Sequence, residues 1–340
     1  MKRLIAIVLL LSLLCGCSSG FALEKKQYTA TFLDVFDTVT TITGKDISKA
    51  AFEEKARAVH DTLLEYHRLF DIYNDYDGLH NLKTVNDAAG GEPVAVDGRI
   101  IQLLMDCKRY YDLTGGRVNV AMGSVLELWH DARTHGINDP LNAKLPDRQA
   151  LEDAAAHGDM DAVVIDEAAS TVCITDPLLR LDVGAVAKGW AAQQAAQTAP
   201  EGLLISVGGN VCSTGAKDEL GSPWIIGIQD PDGGDSYLHT IYLQEGSVVT
   251  SGDYQRTYRV GQEYYHHIID PDTLFPARYW RSVTIICKDS ALADALSTAL
   301  FLMPLEEGKA LAEKLQVDVL WVDENANTFC TPGFESIKRT

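Results

Sequence analysis

The sequence predicts an α+β fold: largely antiparallel sheets packed with helices, arranged as a single compact unit of two closely joined lobes. Two observations carry this. From Asp161 onward, short segments rich in β-branched residues recur between turn residues, at "AVVIDE", "TVCITD", "LLRLDVG", "LLISVGG", "WIIGIQD", "LHTIYLQ", "GSVVTSG" and "YYHHIID", the pattern of strands joined by tight turns. Helical stripes accompany them, two before residue 115, one after Gly189 and one over 291–303, and such a mixture belongs to the α+β class. No internal repeat and no low-complexity linker interrupts the chain beyond its first residues. A composition that is 46% hydrophobic is enough to bury a large core.

At the N-terminus, "MKRLIAIVLLLSLLCGCSSG" sets two basic residues before an apolar run from Leu4 to Leu14 and then small residues, the layout of a secretory leader. The run is too short for a comfortable membrane span, which takes about 20 apolar residues. Leu14-Cys15-Gly16-Cys17 resembles the bacterial lipobox. Residues 1–16 are therefore expected to be a signal peptide, Cys17 the lipidated first residue of the mature chain, 17–27 a tether and 28–340 the folded domain. The expected address is extracytoplasmic, lipid-anchored to the bacterial cell membrane; an ordinary cleaved signal and a free secreted protein is the alternative. Gly16-Cys17-Ser18-Ser19-Gly20 spells G-x-S-x-G, but a removed or tethered segment supplies no strand, turn and helix to make it a nucleophile elbow.

Residues 28–43, "YTATFLDVFDTVTTIT", form a strand pair or one long bent strand. Ser48 caps a helix in which Phe52, Ala56, Val59, Leu63, Tyr66 and Phe70 make one apolar stripe. A polar loop follows over 71–93. A second helix runs from near Asp97 to Leu113, with Ile101, Leu104 and Tyr111 inward and Gly115-Gly116 as its stop. Then come a loop and helix in "RVNVAMGSVLELWHDA" and a polar stretch to about residue 160, before the strand-rich half begins.

Charge and cysteine content exclude several classes. The formal net charge is −19, which argues against nucleic acid and against a basic patch on anionic lipid. Any phosphate-bearing ligand must then be met by a local cation or a helix terminus. Cys107, Cys173, Cys212, Cys287 and Cys330 are odd in number and contain no C-x-x-C pair, so they form neither a disulfide framework nor a zinc site.

Four stretches can carry chemistry. "LRLDVGAVAKGWAAQQAAQ" reads as strand, tight turn and helix, with Lys188 beside the helix start. Such a turn offers an anion site, although the spacing is not a P-loop and a plain structural turn fits equally. "LISVGGN" ends a strand in paired glycines, which allow positive φ and close approach of a ligand, or only a tight turn. In "YYHHIIDPDTLFPA", the tandem His266 and His267 would alternate faces on a strand; one of them could act as a general base or as a structural imidazole. The fourth, "ALADALSTALFLMP", is an apolar helix in which Asp294 and Thr298 fall one turn apart on one face. Their two hard oxygens suit a small divalent cation; local bonds to backbone are the other reading.

The constellation as a whole resembles a known family. "FDTV" (36–39), "IYNDYDG" (72–78), "GGRVNVAMGSVLELW" (115–129), "LDVGAVAKGWA" (181–191), "SVGGN" (206–210), "TSGDYQRTY" (250–258), "YHHIIDPDT" (265–273) and "DALSTALF" (294–301) occur in this order. Together they resemble the ApbE-type FAD:protein FMN transferases, from about residue 30 to the C-terminus. The resemblance implies the ApbE-like fold and an enzyme that takes FMN from FAD, attaches it through a phosphoester to a Thr or Ser of an acceptor protein, releases AMP and needs Mg²⁺. It implies that Asp294, Thr298 and the Ala185 carbonyl hold the metal. Phe36, Tyr73, Val118, Asn119, Asp182, Lys188 and Ile269 fall where the family holds FAD. His267, in the H-x-x-D-P pattern, falls where a base could take the acceptor's proton. Arg256 could steady a phosphate or a carboxylate. Many family members have Met at the place of Phe36 and Asp at that of Asn119.

Implied partners are FAD and extracytoplasmic acceptors with a D-G-x-[ST]-G-A-[ST]-like motif, such as subunits of membrane redox complexes, with the membrane itself reached through the lipid anchor. If water replaces the acceptor hydroxyl, the same site is a Mg²⁺-dependent FAD pyrophosphatase. A non-catalytic flavin-binding lipoprotein is the third reading.

Overall fold

The structure, a computed structural model, describes residues 24–233 and 236–339. The signal peptide, Cys17 and most of the tether lie outside the described residues. No helix among those described is long and apolar enough to cross a membrane.

The chain opens with a hairpin, β1 (Lys26–Val35) and β2 (Thr38–Asp46), so the two-strand reading of residues 28–43 is the one realised. Its two-residue turn, Phe36-Asp37, has φ of 54° and 50°, the type I′ geometry that usually calls for Asn-Gly. The strain is met from outside the hairpin, where the Phe36 amide donates to His67 Nδ1 at 3.2 Å. Ser48 caps α1 (Lys49–Phe70), and all six residues of the expected stripe are buried.

Within the segment expected as a polar loop lies a short helix, α2 (Leu82–Asp87), whose capping box is formed by Asn81 and Thr84. An Asn-x-x-Thr box satisfies the first-turn amides much as Ser-x-x-Glu does. After β3 (Val94–Ala95), α3 (Gly98–Leu113) starts at Asp97 and ends at Gly115 and Gly116, both at positive φ. Next come α4 (Gly123–Asn138) and, in the polar stretch, α5 (Arg148–Ala155), then the small strands β4 (Val163–Asp166) and β5 (Thr171–Ile174).

"LLRLDVG" does not become a strand of a sheet. Leu179, Leu181 and Val183 are buried as a strand's inward residues would be, yet the segment makes only one isolated bridge, between Arg180 and Met122. Its backbone is satisfied by a side chain instead. Asn86, itself buried, donates Nδ2 to the Leu181 carbonyl at 3.0 Å and accepts the Leu181 amide at 2.7 Å, replacing a neighbouring strand with one carboxamide. The Asp182 amide reaches the Val120 carbonyl.

The remainder builds the main sheet: α6 (Ala187–Thr198), β6 (Leu203–Val207), β7 (Asn210–Ser213), β8 (Trp224–Gln229), β9 (Tyr237–Leu243), β10 (Gly246–Gly252), β11 (Tyr258–Val260), β12 (Glu263–Tyr265), β13 (Ser282–Cys287), α7 (Ser290–Phe301), α8 (Leu305–Leu315), β14 (Asp318–Val322), β15 (Thr328–Cys330), α9 (Pro332–Ile337) and β16 (Lys338–Arg339). Eight strands pair in the order β1-β2-β6-β7-β10-β13-β14-β15, antiparallel throughout. Helices α1, α6 and α7 cover one face, and this is the main core. On the other face the small sheet β16-β9-β8 packs through Trp224, Ile226, Ile241 and Leu243 against Val248 and Leu320. A separate apolar cluster joins α4, α5 and β11–β12 around Trp129, Leu151 and Tyr258. The second lobe is this cluster, and the cavity lies between it and the main core.

"YYHHIID" also departs from expectation, because its ladder stops at Tyr265. The Ile268 amide is taken by His266 Nδ1 at 3.2 Å and the Ile268 carbonyl by Ala277. Residues 266–270 therefore form an irregular loop, and the two histidines do not alternate faces.

Candidate active site

One corner of the cavity is made by two helices in contact. Asp289 caps α7 by accepting from the Ala291 and Leu292 amides at 2.8 and 3.2 Å. This fixes the helix so that Asp294, only 4% exposed, points at the first turn of α6. First-turn amides have no partner inside their own helix. Here the Gly189 amide donates to Asp294 Oδ2 at 2.8 Å. A side chain at 189 would overlap the Ser290 carbonyl and Asp294 Cβ, so glycine is required by the contact. Lys188 donates to the Gly184 carbonyl at 2.9 Å and stands 3.9 Å from Asp294 Oδ2.

Burial raises the proton affinity of Asp294, while Lys188, the Gly189 amide and Asn210 oppose that rise. A buried carboxylate whose nearest cation is held at such a distance is short of positive charge. Ala185, Asp294 and Thr298 all line this corner. Of the two neighbouring hydroxyls it is Ser297, not Thr298, that bonds back to the Asp294 carbonyl, at 2.9 Å, and Ser297 also meets Ser251 at 2.8 Å. Among the described residues no cluster of three or more His, Cys, Asp or Glu exists. One carboxylate, a hydroxyl and a carbonyl suit a hard cation that completes its octahedron with water and substrate oxygens, so the donor set fits Mg²⁺.

The opposite wall carries the bases. His267 Nδ1 lies 3.2 Å from the Gln255 carbonyl. A carbonyl only accepts, so Nδ1 holds the hydrogen and Nε2 keeps its lone pair. Burial, then Arg256, Lys188, His266 and Arg133, push the His267 pKa down to about 3. The imidazole is neutral at physiological pH and free to accept a proton. His266 has both nitrogens occupied, Nε2 by the Ala277 carbonyl at 2.8 Å and Nδ1 by the Ile268 amide. Of the tandem pair, both line the cavity, and His267 alone keeps a free basic nitrogen.

Around His267 stand cations that an acidic chain would otherwise lack. Arg256 sits at φ 45° in the loop after β10, and that loop is tied down by Arg281, whose Nε lies 2.9 Å from Asp253 and whose carbonyl takes the Asp253 amide. Arg133, on α4, donates to His130 Nδ1 at 3.0 Å, and His130 faces the Tyr73 ring at 5.5 Å. Burial and the nearby Arg256 lower the Arg133 pKa. Arg133 and Arg256 with Lys188 give the cavity an anion-binding interior in a chain of net charge −19, while Arg117, which also lines it, is paired with Asp272.

The cavity has a volume of about 390 Å³. It gathers Tyr73, Val118, Asn119, Asp182, Ala185, Lys188, Arg256, His267, Ile269, Asp294 and Thr298 from segments far apart in sequence. Phe36 is the exception, since it lines an adjoining recess of about 120 Å³ that shares Asp37, Tyr73, Asp182, Gly184, Lys188 and Arg256 with the main cavity. The positive-φ turn tips Phe36 towards α1, where its ring meets His67 edge-on at 5.6 Å. Asn119 lines the cavity but does not offer it a free amide: Nδ2 donates to the Gly158 carbonyl at 2.8 Å and Oδ1 accepts from Ala121 at 2.9 Å. Asp182 likewise holds its own turn, accepting from the Gly184 amide at 2.8 Å. Sequence reasoning missed Arg133 and His130 and gave no role to Thr250, Ser251 and Asn210, which stand in motifs it quoted; all five line the cavity. The glycine pair flagged the place of Asn210, but nothing local marked Arg133.

Comparisons with known proteins converge on one family. The profile of the ApbE family matches residues 36–321. A FAD:protein FMN transferase of Treponema pallidum is 32% identical over 338 residues, covering 93% of this chain and 90% of its own. One from Klebsiella pneumoniae is 31% identical over 280 residues, covering 78% and 84% respectively. Among solved structures, the ApbE protein of Thermotoga maritima superposes with a TM-score of 0.81 at 30% identity, over 93% of this chain and all of the other. The flavin transferase ApbE of Vibrio cholerae gives 0.76 at 25% identity, over 92% of this chain and all of the other.

Proposed function

The chain belongs to the ApbE family, and on that premise we propose that it is a Mg²⁺-dependent FAD:protein FMN transferase acting on a Thr or Ser hydroxyl of extracytoplasmic acceptor proteins. The observation that carries this reading is the facing of a buried carboxylate, Asp294, and a neutral imidazole, His267, across one cavity lined by Lys188, Arg133 and Arg256.

In the transfer, the acceptor oxygen forms a bond to the FMN phosphorus and the bond to the AMP oxygen breaks. His267 Nε2 takes the hydroxyl proton, because Nδ1 is held by Gln255. Lys188 and Arg256 neutralise the non-bridging oxygens and orient the pyrophosphate, which is where most of the acceleration of such a displacement arises, while Arg133 adds to the binding of the anion. An anion placed among these cations offsets the part of the His267 depression that comes from Arg256, Lys188 and Arg133, burial being the larger cause. When bound, Mg²⁺ would be held by Asp294, Thr298 and the Ala185 carbonyl and would supply further neutralisation of phosphate charge.

The lipid anchor at Cys17 and the extracytoplasmic address belong to the same proposal and rest on the leader and lipobox-like residues. The test uses the chain from about residue 24, FAD, and an acceptor domain bearing a D-G-x-[ST]-G-A-[ST]-like motif. Flavin fluorescence that stays with the denatured acceptor, and is lost with EDTA, supports transfer. AMP released equally without acceptor points to FAD hydrolysis instead, and flavin binding without AMP under any condition points to a carrier.

A further inference from the structure

Asn210 is 2% exposed, lines the cavity, and has a side-chain Nδ2 that makes no bond of good geometry among the described residues, although it stands near enough to Asp294 to oppose the rise in that carboxylate's proton affinity. The other buried side-chain atoms left without partners among the described residues, in Thr40, Ser247, Ser290 and Trp321, do not line the cavity. An unsatisfied buried donor costs about 1–3 kcal/mol, and native structures keep such groups rarely and with a reason.

The orientation of this amide follows from its neighbour. Asp294 lies beside it, and an ionised carboxylate only accepts, so the nitrogen and not the oxygen must face that way. Nor can the side chain be swung aside easily. Asn210 opens β7 directly after the Gly208-Gly209 turn, with φ of 58° and 91°, and pairs with Val207. Any side chain at 208 would overlap Thr38, so the turn is pressed against β2 and fixes the base of Asn210. The result is a rigid, two-hydrogen donor in a cavity that also holds Lys188, Arg133 and Arg256.

Resting on the transferase reading, we propose that Asn210 contacts substrate: its Nδ2, turned to the side of Asp294, donates to a non-bridging phosphoryl oxygen of the bound flavin nucleotide. A structural residue would serve every ligand alike, whereas this role distinguishes ligands with a phosphate from those without.

The experiment is equilibrium binding of FAD, FMN and riboflavin, followed by flavin fluorescence without acceptor, in EDTA and again with Mg²⁺. Asn210→Asp keeps the shape and replaces the donor with an acceptor; Asn210→Ala removes it; thermal unfolding checks that both fold. The expected result is at least a tenfold weakening of FAD and FMN by Asn210→Asp, a smaller one by Asn210→Ala, and riboflavin affinity within a factor of two of the parent. Equal weakening of all three ligands, or FAD binding unchanged in Asn210→Asp, overturns the proposal while leaving the transferase reading intact. Failure of the parent protein to bind FAD at all would overturn both.

Discussion

The Asp294 corner and the His267 wall face each other across one cavity but are held by opposite means. The corner rides on α6 and α7, whose contact is so close that Gly189 cannot carry a side chain, and whose neighbours Ala291, Ala293, Ala295 and Leu296 are buried in the main core. The wall is carried on the loop of Gln255 and Arg256, on the irregular segment 266–270 and on one helix of the smaller lobe, and it is joined by a few polar links such as Gln255 to His267 and Arg281 to Asp253. A densely packed helix pair fixes atoms to a fraction of an ångström, while loops leave room to adjust when a ligand arrives. Charge neutralisation at phosphorus needs the first, and admission of a large dinucleotide and a protein hydroxyl needs the second. Perturbing the corner should therefore disturb fold and chemistry together, and perturbing the wall should disturb chemistry alone.

The sharpest exception to that rule comes from the corner itself. Asp294→Asn keeps the shape and removes the buried charge, so transfer should fall by about a thousandfold or more, in line with loss of a principal electrostatic element. Yet the variant in EDTA should be as stable as the parent or more so. The direction follows from the raised proton affinity of Asp294: the charged form is penalised in the folded state, so stability from this group is present below the ordinary carboxylate value and lost as pH rises through the raised one. The advantage of Asp294→Asn should grow as pH rises above 3.8 and vanish on acidification towards it, measured by denaturant unfolding across pH.

His267→Asn comes next, with turnover lower by about a hundredfold, as expected for loss of a general base. Its stability at pH 8 should match the parent's. Below pH 6.5 the two should diverge, because a lowered histidine pKa gives stability that is present above 6.5 and is lost as pH falls towards about 3. The parent should lose stability more steeply with acid than the variant does. A variant with identical acid unfolding would show that the imidazole is not held neutral by its surroundings.

Gly189→Ala tests the corner's packing. Overpacking of this kind costs about 1–3 kcal/mol, and calorimetry should show a lowered Tm together with weakened Mg²⁺ dependence; full stability would mean that the helices separate without cost. The smallest effect is expected from Arg133→Gln, about a tenfold rise in the KM for FAD with little change in kcat or Tm, since the guanidinium lies on the adjustable wall. A fall in kcat at constant KM would move Arg133 into the chemical step.

What the sequence made legible divides along the same line. The stripe from Phe52 to Phe70, the Ser48 cap and the spacing of Asp294 and Thr298 are encoded locally by helical period and capping chemistry, and the structure places them as the spacing predicts. "LLRLDVG" has the period of a strand but not its pairing, because Asn86, nearly a hundred residues earlier, supplies the partner. The facing of His266 and His267 depends on loop bonds to Ala277 and Gln255, and the approach of Arg133 to Arg256 depends on how two lobes meet. These are tertiary facts that no local pattern announces. Phe36 shows the intermediate case: "FDTV" marked a special place, but the positive-φ turn that tips the ring into the side recess is sustained by His67 from another element.

The most direct measurement of the central claim is the ratio of AMP released to FMN covalently attached, from the nucleotide yield and the mass of the acceptor in the same reaction with Mg²⁺. The account predicts one AMP for each flavin added to the acceptor, with neither product formed by Asp294→Asn. AMP in large excess over attached flavin, or attachment that persists at the parent rate in Asp294→Asn, would contradict it.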